Sequence, residues 1–239
     1  PIRRQAGRMI DKLEMFIALA QAQHFGRAAE ALGIAQPTLS AAIRQLEGEL
    51  GVMLVSRGSR YGGLTPEGAR VLEWARQIVG DTRTMKEELR AARSGLSGIV
   101  RLAVIPTALT VVAQLTARFA LAHPNVRFSV LSSNSIEILK SLEGLQIDAG
   151  ISYLDNEPLG RVVTVPIYQE RYVLVVRRDA PEAALAELRW SDLAGLRLCL
   201  LTPDMQNRRI IGGHLAEAGV TVAPAVESNS TIVLVSHVL

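Results

Sequence analysis

The N-terminal part of the chain has hydrophobic positions at helical spacing. From residue 11 to about residue 23, apolar side chains recur at i, i+3, i+4 and i+7, as on one face of an amphipathic helix. Asp11 and Glu14 form a capping-box pattern that predicts the start of this helix. Two further helices are predicted over residues 27–32 and over Gln36–Leu50, which Gly51 follows.

A basic, Gly-rich segment at residues 57–65 predicts a hairpin or an extended loop. Thr65 then provides an N-cap and Pro66 a first position for a long helix, which we expect to run to about Arg93. Its apolar positions alternate spacings of four and three residues, which predicts pairing with a second helix; packing along its own domain is the alternative. The apolar seam consists of Val71, Ala75, Ile78, Thr82, Met85 and Leu89.

Residues 94–98 form a Ser/Gly-rich hinge, after which β-branched runs alternate with helical segments. This alternation predicts an α/β domain with a largely parallel sheet. Strands are predicted at residues 99–105, 126–131, 149–152 and 171–176, helices at residues 108–122 and 135–142, and further α/β signals at residues 185–193, 196–201, 206–218 and 225–228. Gly212 and Gly213 predict a loop or an interruption of a helix. Because the sequence stops inside an apolar helical run at Leu239, we expect this domain to be truncated.

Composition narrows the class of protein. The chain has 239 residues, 49% of them hydrophobic and 21% charged, as in a globular protein of one or two domains. It contains no apolar run of about 18 residues, so we expect a cytoplasmic protein without a membrane partner. The single cysteine, Cys199, excludes a disulfide within these residues, and a small buried apolar role is favoured over a reactive thiol.

The formal net charge of +3 is unevenly distributed along the chain. Residues 1–93 hold 14 Lys and Arg against 10 Asp and Glu, a net charge of +4, whereas the remaining residues have a net charge of −1. The basic surplus of the N-terminal part is weak evidence by itself, but it indicates where a polyanionic partner would bind.

The second and third predicted helices fit a helix-turn-helix. That motif needs a small residue where two helices cross, a turn residue four positions later and an apolar anchor six positions beyond it. Ala29, Gly33 and Leu39 meet these needs. The second helix of such a motif lies in the DNA major groove with its N-terminal side chains toward the bases. The spacing is moderately specific, because other helical hairpins share it.

A longer set of positions extends this match. It comprises Leu13, Phe16, Phe25, Ala28, Ala29, Leu32, Gln36, Pro37, Thr38, Leu39, Ser40, Ile43, Leu46, Glu47, Leu50, Gly51, Leu54, Arg57, Leu64, Thr65 and Gly68. With these residues the chain resembles LysR-type transcriptional regulators, and residues 101–106, 123–124, 148–151 and 226–230 continue the likeness more loosely. The resemblance implies an α/β protein overall, with a winged helix-turn-helix over residues 1–65, a dimerising linker helix over residues 66–93 and an effector domain of two α/β subdomains, similar to a periplasmic binding protein, over residues 94–239.

The resemblance also implies which side chains face DNA. The implied set is Gln36, Pro37, Thr38, Ser40 and Arg44 in the recognition helix, with Arg57 and Arg60 in the wing. For Arg57, an ion pair within its own domain is an equal alternative. Two positions depart from the family pattern: Ala35 stands where a capping serine is usual, and Val55 where phenylalanine is usual. Another group must then cap the recognition helix, or the cap is lost at a cost of about 1 kcal/mol.

The ends of the predicted strands carry hydroxyl and amide side chains suited to a small effector, such as a small anion. The candidates are Thr107, Ser133, Asn134, Thr202 and Asn229, with Tyr153 and Arg208 as weaker ones. Ordinary helix capping is the alternative for the Ser, Thr and Asn residues, because these types are common caps at such boundaries.

The sequence therefore predicts a ligand-controlled transcriptional regulator. The resemblance implies a homodimer that assembles into a tetramer, reads an interrupted inverted repeat in double-stranded DNA and contacts RNA polymerase where it activates. We expect no catalytic residue, metal or cofactor, since no nucleotide-binding, nucleophile or metal motif is present and the four histidines are scattered. The competing hypothesis is a solute-binding or catalytic α/β domain whose N-terminal helices serve only oligomerisation.

Overall fold

The computed structural model describes residues 2–56, 61–155, 159–160 and 162–238. The chain divides into two compact units. The first unit comprises Pro1–Gly98 with Glu143–Gln146, and the second comprises Ile99–Leu142 with Ile147–Leu239.

The first unit is helical in the part that the structure describes. Its helices are α1 (Ile2–Ala22), α2 (Phe25–Ala31), α3 (Gln36–Leu50) and α4 (Pro66–Ser94). The predicted bounds of α3 are confirmed, and α4 begins at Pro66 as predicted. The predicted start of α1 is wrong, because Asp11 lies inside a helix that begins at Ile2. A capping-box pattern permits a helix to start but does not stop one that already runs through good helix formers.

One apolar core holds the helices of the first unit together. The stripe predicted on α1 is buried here, with Phe16 fully inaccessible to solvent. The core consists of Leu13, Phe16, Ile17, Leu19, Ala28, Ala29, Leu39, Ile43, Leu46, Leu54, Val55, Leu72, Ala75 and Val79. Beside it, the buried ammonium of Lys12 donates to the Glu49 carboxylate at 2.5 Å, and this ion pair ties α1 to the C-terminal end of α3.

The second unit is built from short strands and helices. Its elements are β1 (Gly98–Val104), α5 (Leu109–Ala122), β2 (Val126–Ser132), α6 (Ser135–Glu143), β3 (Ala149–Ile151), β4 (Cys199–Leu201), α7 (Gln206–Glu217), β5 (Val226–Ser228) and α8 (Thr231–Val238). The first sheet has the strand order β2-β1-β3, and the second pairs β4 with β5. β1 runs parallel to β3, with Leu102 opposite Ala149, and β4 runs parallel to β5, with Cys199 opposite Val226. The predicted α/β class is confirmed.

Two local predictions for the second unit are wrong. Residues 171–176 form no strand, and Val173 is 79% exposed, because a β-branched run becomes a strand only where a neighbouring strand offers hydrogen bonds. Gly212 and Gly213 do not interrupt α7. Ile211 and Leu215 of α7 pack in the apolar core next to the β4-β5 sheet, and this packing stabilises the helix despite its two glycines.

Two segments between β3 and β4 form 3₁₀ turns, Pro181–Ala184 and Trp190–Leu193. Only the second lies within residues 185–193, where the sequence pattern predicts a further α/β element. His123 ends α5 as its C-cap residue, and its ring contacts Phe119 at a centroid distance of 4.6 Å. Across the described part of the chain, no helix is both long and apolar enough to cross a membrane.

Candidate DNA-binding surface and effector cleft

The turn between α2 and α3 has the geometry that the sequence predicts. His24 caps α2, its Nδ1 accepting from the Arg27 backbone N–H at 3.2 Å. Gly33 has φ +66°, in the left-handed region that favours glycine, and directs the chain from α2 toward α3. The N–H of Ile34 then donates to the Ala29 carbonyl at 3.0 Å. Ala29 itself is buried, as a small residue at the helix crossing should be.

Helix α3 has one buried and one exposed face. Leu39, Ala42, Ile43 and Leu46 are buried against the first unit. The predicted DNA-facing residues lie away from that core: Gln36, Pro37, Thr38 and Arg44 are exposed, and Ser40 is half-buried. Ala35 is the N-cap residue and makes no side-chain hydrogen bond, so the expected absence of a cap from this position is confirmed.

The wing follows α3. Val55 and Leu64 form an antiparallel bridge, and the Ser56 N–H donates to the Gly63 carbonyl at 3.0 Å, so the hairpin alternative holds at its base. Arg57 and Arg60, the predicted wing contacts, lie outside the described residues.

The base of the wing is tied to α3. The Oε1 atom of Glu47 accepts from the backbone N–H groups of Leu54, at 2.8 Å, and of Val55, at 3.2 Å. Both of these residues are buried, so the carboxylate satisfies two N–H groups that water does not reach. Val55, where the family usually has phenylalanine, packs in the core of the first unit.

The same backbone is tied to α4. The hydroxyl of Thr65 donates to the Met53 carbonyl at 2.5 Å and accepts from the Gly68 N–H at 2.8 Å, which confirms Thr65 as the cap of α4. The N–H of Thr65 donates to the Leu54 carbonyl at 3.0 Å. A Cβ at Gly68 would lie 2.0 Å from that same carbonyl oxygen, so only glycine permits this approach.

The predicted dimerisation seam of α4 divides between two faces. Ala75 is fully buried in the core of the first unit and Val71 packs against that core, so neither faces a partner helix here. Ile78, Met85 and Leu89 are exposed, and Trp74, which the predicted seam does not include, is 63% exposed. A spacing of four and three residues identifies the apolar face of a helix. It does not distinguish residues that pack in their own domain from residues that pack against another chain.

A small cleft lies within the second unit, with a volume of about 10 Å³. It is lined by Ile105, Pro106, Thr107, Asn134, Ser135, Tyr153, Leu201, Met205, Gln206 and Asn207. Thr107 and Asn134 were predicted; Ser133, Thr202 and Asn229 are not among the lining residues. The start of α7 supplies Gln206 and Asn207, which sequence reasoning missed although they follow β4 by only a few positions.

Tyr153, a weaker sequence candidate, is the centre of the hydrogen bonding in this cleft. Its hydroxyl donates to Oε2 of Glu170 at 2.5 Å and accepts from Nδ2 of Asn207 at 3.3 Å. Thr107 Oγ1 lies 3.4 Å from the same hydroxyl. Burial, reinforced by the Glu170 carboxylate, raises the pKa of Tyr153 far above its usual value of 10.0, so the phenol stays protonated and remains a donor.

Asn134 has two partners, one on each side of the cleft. Its Oδ1 accepts from the Glu137 N–H at 2.9 Å at the start of α6, and its Nδ2 donates to Oδ2 of Asp204 at 3.3 Å. The Ser133 hydroxyl donates to Glu137 at 2.8 Å. The capping alternative therefore describes Asn134, which also reaches the loop before α7, whereas Ser133 bonds to the side chain of Glu137 and, among the described residues, to no helix N–H.

Arg208, the other weaker sequence candidate, does not line the cleft; its guanidinium lies 3.9 Å from the Glu227 carboxylate. No cluster of His, Cys, Asp and Glu suited to a metal ion occurs among the described residues.

A helix-turn-helix with an exposed polar face, followed by a wing, a long helix and an α/β unit with a small cleft, defines a DNA-binding regulator with a ligand-binding domain. Two family models match the chain: the bacterial regulatory helix-turn-helix protein, lysR family, over residues 10–69, and the LysR substrate binding domain over residues 93–239. The chain belongs to the LysR family of bacterial transcriptional regulators. Members of this family bind DNA and act as oligomers.

Individual relatives agree with this assignment. The chain is 32% identical over 211 residues to a hydrogen peroxide-inducible genes activator of Dickeya chrysanthemi, covering 88% of this chain and 69% of that protein. It is 31% identical over 211 residues to the DNA-binding transcriptional dual regulator OxyR of Escherichia coli strain K12, with the same two coverages. A full-length OxyR variant from Pseudomonas aeruginosa has a TM-score of 0.64 at 26% identity, covering 96% of this chain and 74% of its own.

Proposed function

We propose that this LysR-type regulator reads an interrupted inverted repeat in double-stranded DNA through α3. The proposal rests on the two faces of that helix. One is apolar and includes the buried residues Leu39 and Leu46, and the other is polar and exposed to solvent. Because the buried face fixes the helix, the polar face is held in place for base contacts rather than for packing.

Each exposed residue has a distinct role in this proposal. Gln36 pairs in a bidentate manner with adenine, Arg44 reaches guanine or a phosphate, and Pro37 and Thr38 contact a thymine methyl group. Ser40 bonds a base or the backbone. Arg57 and Arg60 of the wing, which lie outside the described residues, are assigned to phosphates or the minor groove.

We propose that two copies pair along α4. The exposed apolar residues Trp74, Ile78, Met85 and Leu89 support this, because they leave an unpaired stripe on a helix of 29 residues. Val71 and Ala75 are not part of this stripe, since their own unit covers them, and Thr82 lies at its margin. The homodimer assembles into a tetramer, which spaces the recognition helices, and contacts RNA polymerase where it activates transcription.

A gel-shift titration tests the DNA half of the proposal. The full chain is titrated against duplexes enriched from a random-sequence library and against unselected duplexes at physiological salt. We expect selected duplexes to bind at least about a thousandfold more tightly, as for sequence-specific regulators in general. Equal affinity for both pools would favour the competing solute-binding or catalytic domain.

We propose that the effector binds reversibly in the cleft around Tyr153. Thr107, Asn134, Gln206 and Asn207 offer hydroxyl and amide groups to it. Carboxylates of Glu170 and Asp204 bond directly to lining side chains. One positive charge offsets them in part, since the Arg209 guanidinium donates to Oε1 of Gln206 at 2.7 Å. The remaining negative charge weighs against the small anion that the sequence suggested and favours an uncharged or cationic polar ligand. Since the cleft holds about one water, binding requires it to open.

Peroxide sensing is a second candidate, which the names of the relatives favour. The 239 residues contain one cysteine, so a disulfide between two of them is excluded, and Cys199 lies in β4 as a free, half-buried thiol. Hydrogen peroxide should leave DNA binding of the full chain unchanged, as it should for Cys199→Ser. A peroxide response that Cys199→Ser abolishes would establish the second candidate instead.

A thermal-shift screen identifies the class of effector. Matched sets of anionic, uncharged and cationic polar metabolites are tested on the full chain, and a ligand at 100 times its dissociation constant stabilises by about 2.7 kcal/mol. We expect hits among the uncharged and cationic sets, weakened by Tyr153→Phe. Hits confined to anions would contradict the assigned chemistry.

We propose that the chain has no catalytic activity and works in the cytoplasm, where the chromosome is. The family to which it belongs consists of transcription regulators.

A further inference from the structure

The segment that opens the wing, Met53–Leu54–Val55, is held from two sides, and this segment is called the wing base below. On one side, Glu47 of α3 accepts from the N–H groups of Leu54 and Val55. On the other, Thr65 at the start of α4 bonds to the carbonyls of Met53 and Leu54. Both backbone polar groups of Leu54 are thus tied to the two helices that flank the wing.

The Glu47 bonds are the connection between the recognition helix and the wing base. These bonds span the short loop between α3 and Leu54. Because the core fixes the buried face of α3, the carboxylate holds Leu54 and Val55 at a defined position relative to that helix. The next acidic residue of α3, Glu49, pairs with Lys12 and not with the wing base.

We propose, on the basis of the DNA recognition proposed above for α3 and the wing, that Glu47 is a positioning residue. It sets the wing against α3, so that wing contacts and recognition-helix contacts fall on one DNA duplex together. It acts through the wing base and does not contact DNA. The DNA contacts of the wing then depend on an acidic side chain, although DNA is a polyanion and repels negative charge.

That charge makes the proposal sharply testable. Glu47→Ala removes a negative charge, which by itself strengthens binding to DNA. Loss of positioning has the opposite sign, and we expect about tenfold weaker binding of the full chain to a duplex enriched from a random library by the unsubstituted chain. The slope of log affinity against log salt should become shallower by about one for each phosphate that the wing no longer reaches.

Two conservative variants separate position from charge. Glu47→Gln keeps a carbonyl oxygen where Oε1 accepts both N–H groups, so we expect affinity within about twofold of the unsubstituted chain. Glu47→Asp keeps the charge but is shorter by one methylene, so we expect it to weaken binding like Glu47→Ala. If Asp binds normally and Gln does not, charge rather than position matters and the proposal fails.

A double-mutant cycle shows whether Glu47 acts through the wing. In a background of Arg57→Ala with Arg60→Ala, Glu47→Asp should weaken binding by no more than about twofold, because the side chains that it positions are already removed. Hydroxyl-radical footprints of Glu47→Asp should lose protection at the same positions as the variant with Arg57→Ala and Arg60→Ala and keep it elsewhere. Effects that multiply in the cycle, or protection that falls evenly across the site, would overturn the proposal.

Thermal melts accompany every variant. Should Glu47→Ala be unfolded at the assay temperature, the comparison of Glu47→Asp with Glu47→Gln and the cycle decide the matter alone. A general loss of stability without a wing-specific role predicts equal weakening at every part of the footprint, which is the contradicting result.

Discussion

Helix α3 and the cleft around Tyr153 differ in how their polar side chains are paired. On α3, Gln36, Thr38 and Arg44 point to solvent, and among the described residues they form no hydrogen bond with another side chain. In the cleft, Tyr153 and Asn134 each bond to groups from both sides of it. Among the described residues, the exposed side chains of α3 therefore have no side-chain partner, whereas the polar side chains of the cleft already have hydrogen-bond partners in the fold.

The difference follows from what supports each region. The apolar core and close backbone contacts of the first unit hold α3 without help from its polar face. The cleft of the second unit is closed by polar side chains, so a ligand has to replace bonds that already exist. We therefore expect substitutions on α3 to change binding without stability, and substitutions in the cleft to change both.

The largest expected effect is steric and tests the rigid support of the first unit. Gly68→Ala places a Cβ 2.0 Å from the Leu54 carbonyl oxygen, and we expect a loss of about 3 kcal/mol or more in the free energy of unfolding. Gly80→Ala is the control in the same helix, where a Cβ meets nothing nearer than 3.9 Å and a gain of up to about 1 kcal/mol is expected. Equal urea midpoints for both variants would show that the backbone of the wing base moves away from the added methyl group at little cost in stability.

The next largest effect concerns DNA affinity. Gln36→Ala and Arg44→Ala should each weaken binding to selected duplexes by about 1–3 kcal/mol. The free energy of unfolding from thermal melts should stay within about 0.5 kcal/mol of that of the unsubstituted chain. Arg118→Ala, an exposed arginine on α5, makes the same change of charge and should leave specificity intact. A large fall in the melting temperature of the α3 variants would break the comparison, since those side chains would then have partners in the fold.

The cleft should lose stability when one bond is removed. Tyr153→Phe deprives Glu170 and Asn207 of a shared hydroxyl, and we expect a loss of about 1–2 kcal/mol by denaturant unfolding. Tyr168→Phe is the control, because its bond to the same carboxylate is 3.5 Å long and its side chain is exposed; we expect about 0.5 kcal/mol or less. If the two variants are equally stable, the cleft is not held by Tyr153.

The raised pKa of Tyr153 adds a pH dependence with a definite sign. The folded protein keeps the phenolic proton more tightly than the unfolded chain, whose tyrosine titrates near 10.0. The stability from this difference is complete below pH 10 and is lost as pH rises above it. Tyr153→Phe should therefore show a shallower decline above pH 10 than the unsubstituted chain, and parallel declines would contradict this.

The smallest expected effect is a gain at the start of α3. Ala35→Thr adds a side-chain acceptor for the Thr38 N–H, which otherwise donates to the Ala35 carbonyl at 3.0 Å, and we expect up to about 1 kcal/mol of added stability. Ala35→Val has nearly the same shape without the hydroxyl and should give no such gain. A gain from valine would assign the effect to packing rather than to a cap.

Local chemistry made much of the first unit predictable. Thr65 before Pro66 specifies the start of α4, and Gly33 between two apolar patterns specifies the turn before α3, because each acts within a few residues of itself. The start of α1 was missed for the same reason, since a capping pattern at Asp11 carries no information about residues upstream.

The site residues show where local reasoning ends. Thr107 and Asn134 were predicted because side chains at strand ends gather at a sheet edge. Asn207 was missed, because its bond to Tyr153 joins residues 54 positions apart. On α4, the apolar seam was visible from spacing, but only the packed core shows that Ala75 is covered by its own unit while Trp74 is not.

The sequence by itself determined the class of this protein: a helix-turn-helix, a long helix and an α/β unit, with the residues expected to face DNA. These follow from periodicity, caps and turn residues, which depend on near neighbours in the chain. Tertiary structure alone decided how polar groups are paired, with Glu47 at the wing base and Tyr153 in the cleft. Hydrogen bonds between distant segments depend on how close the fold brings them, and no local pattern encodes that distance.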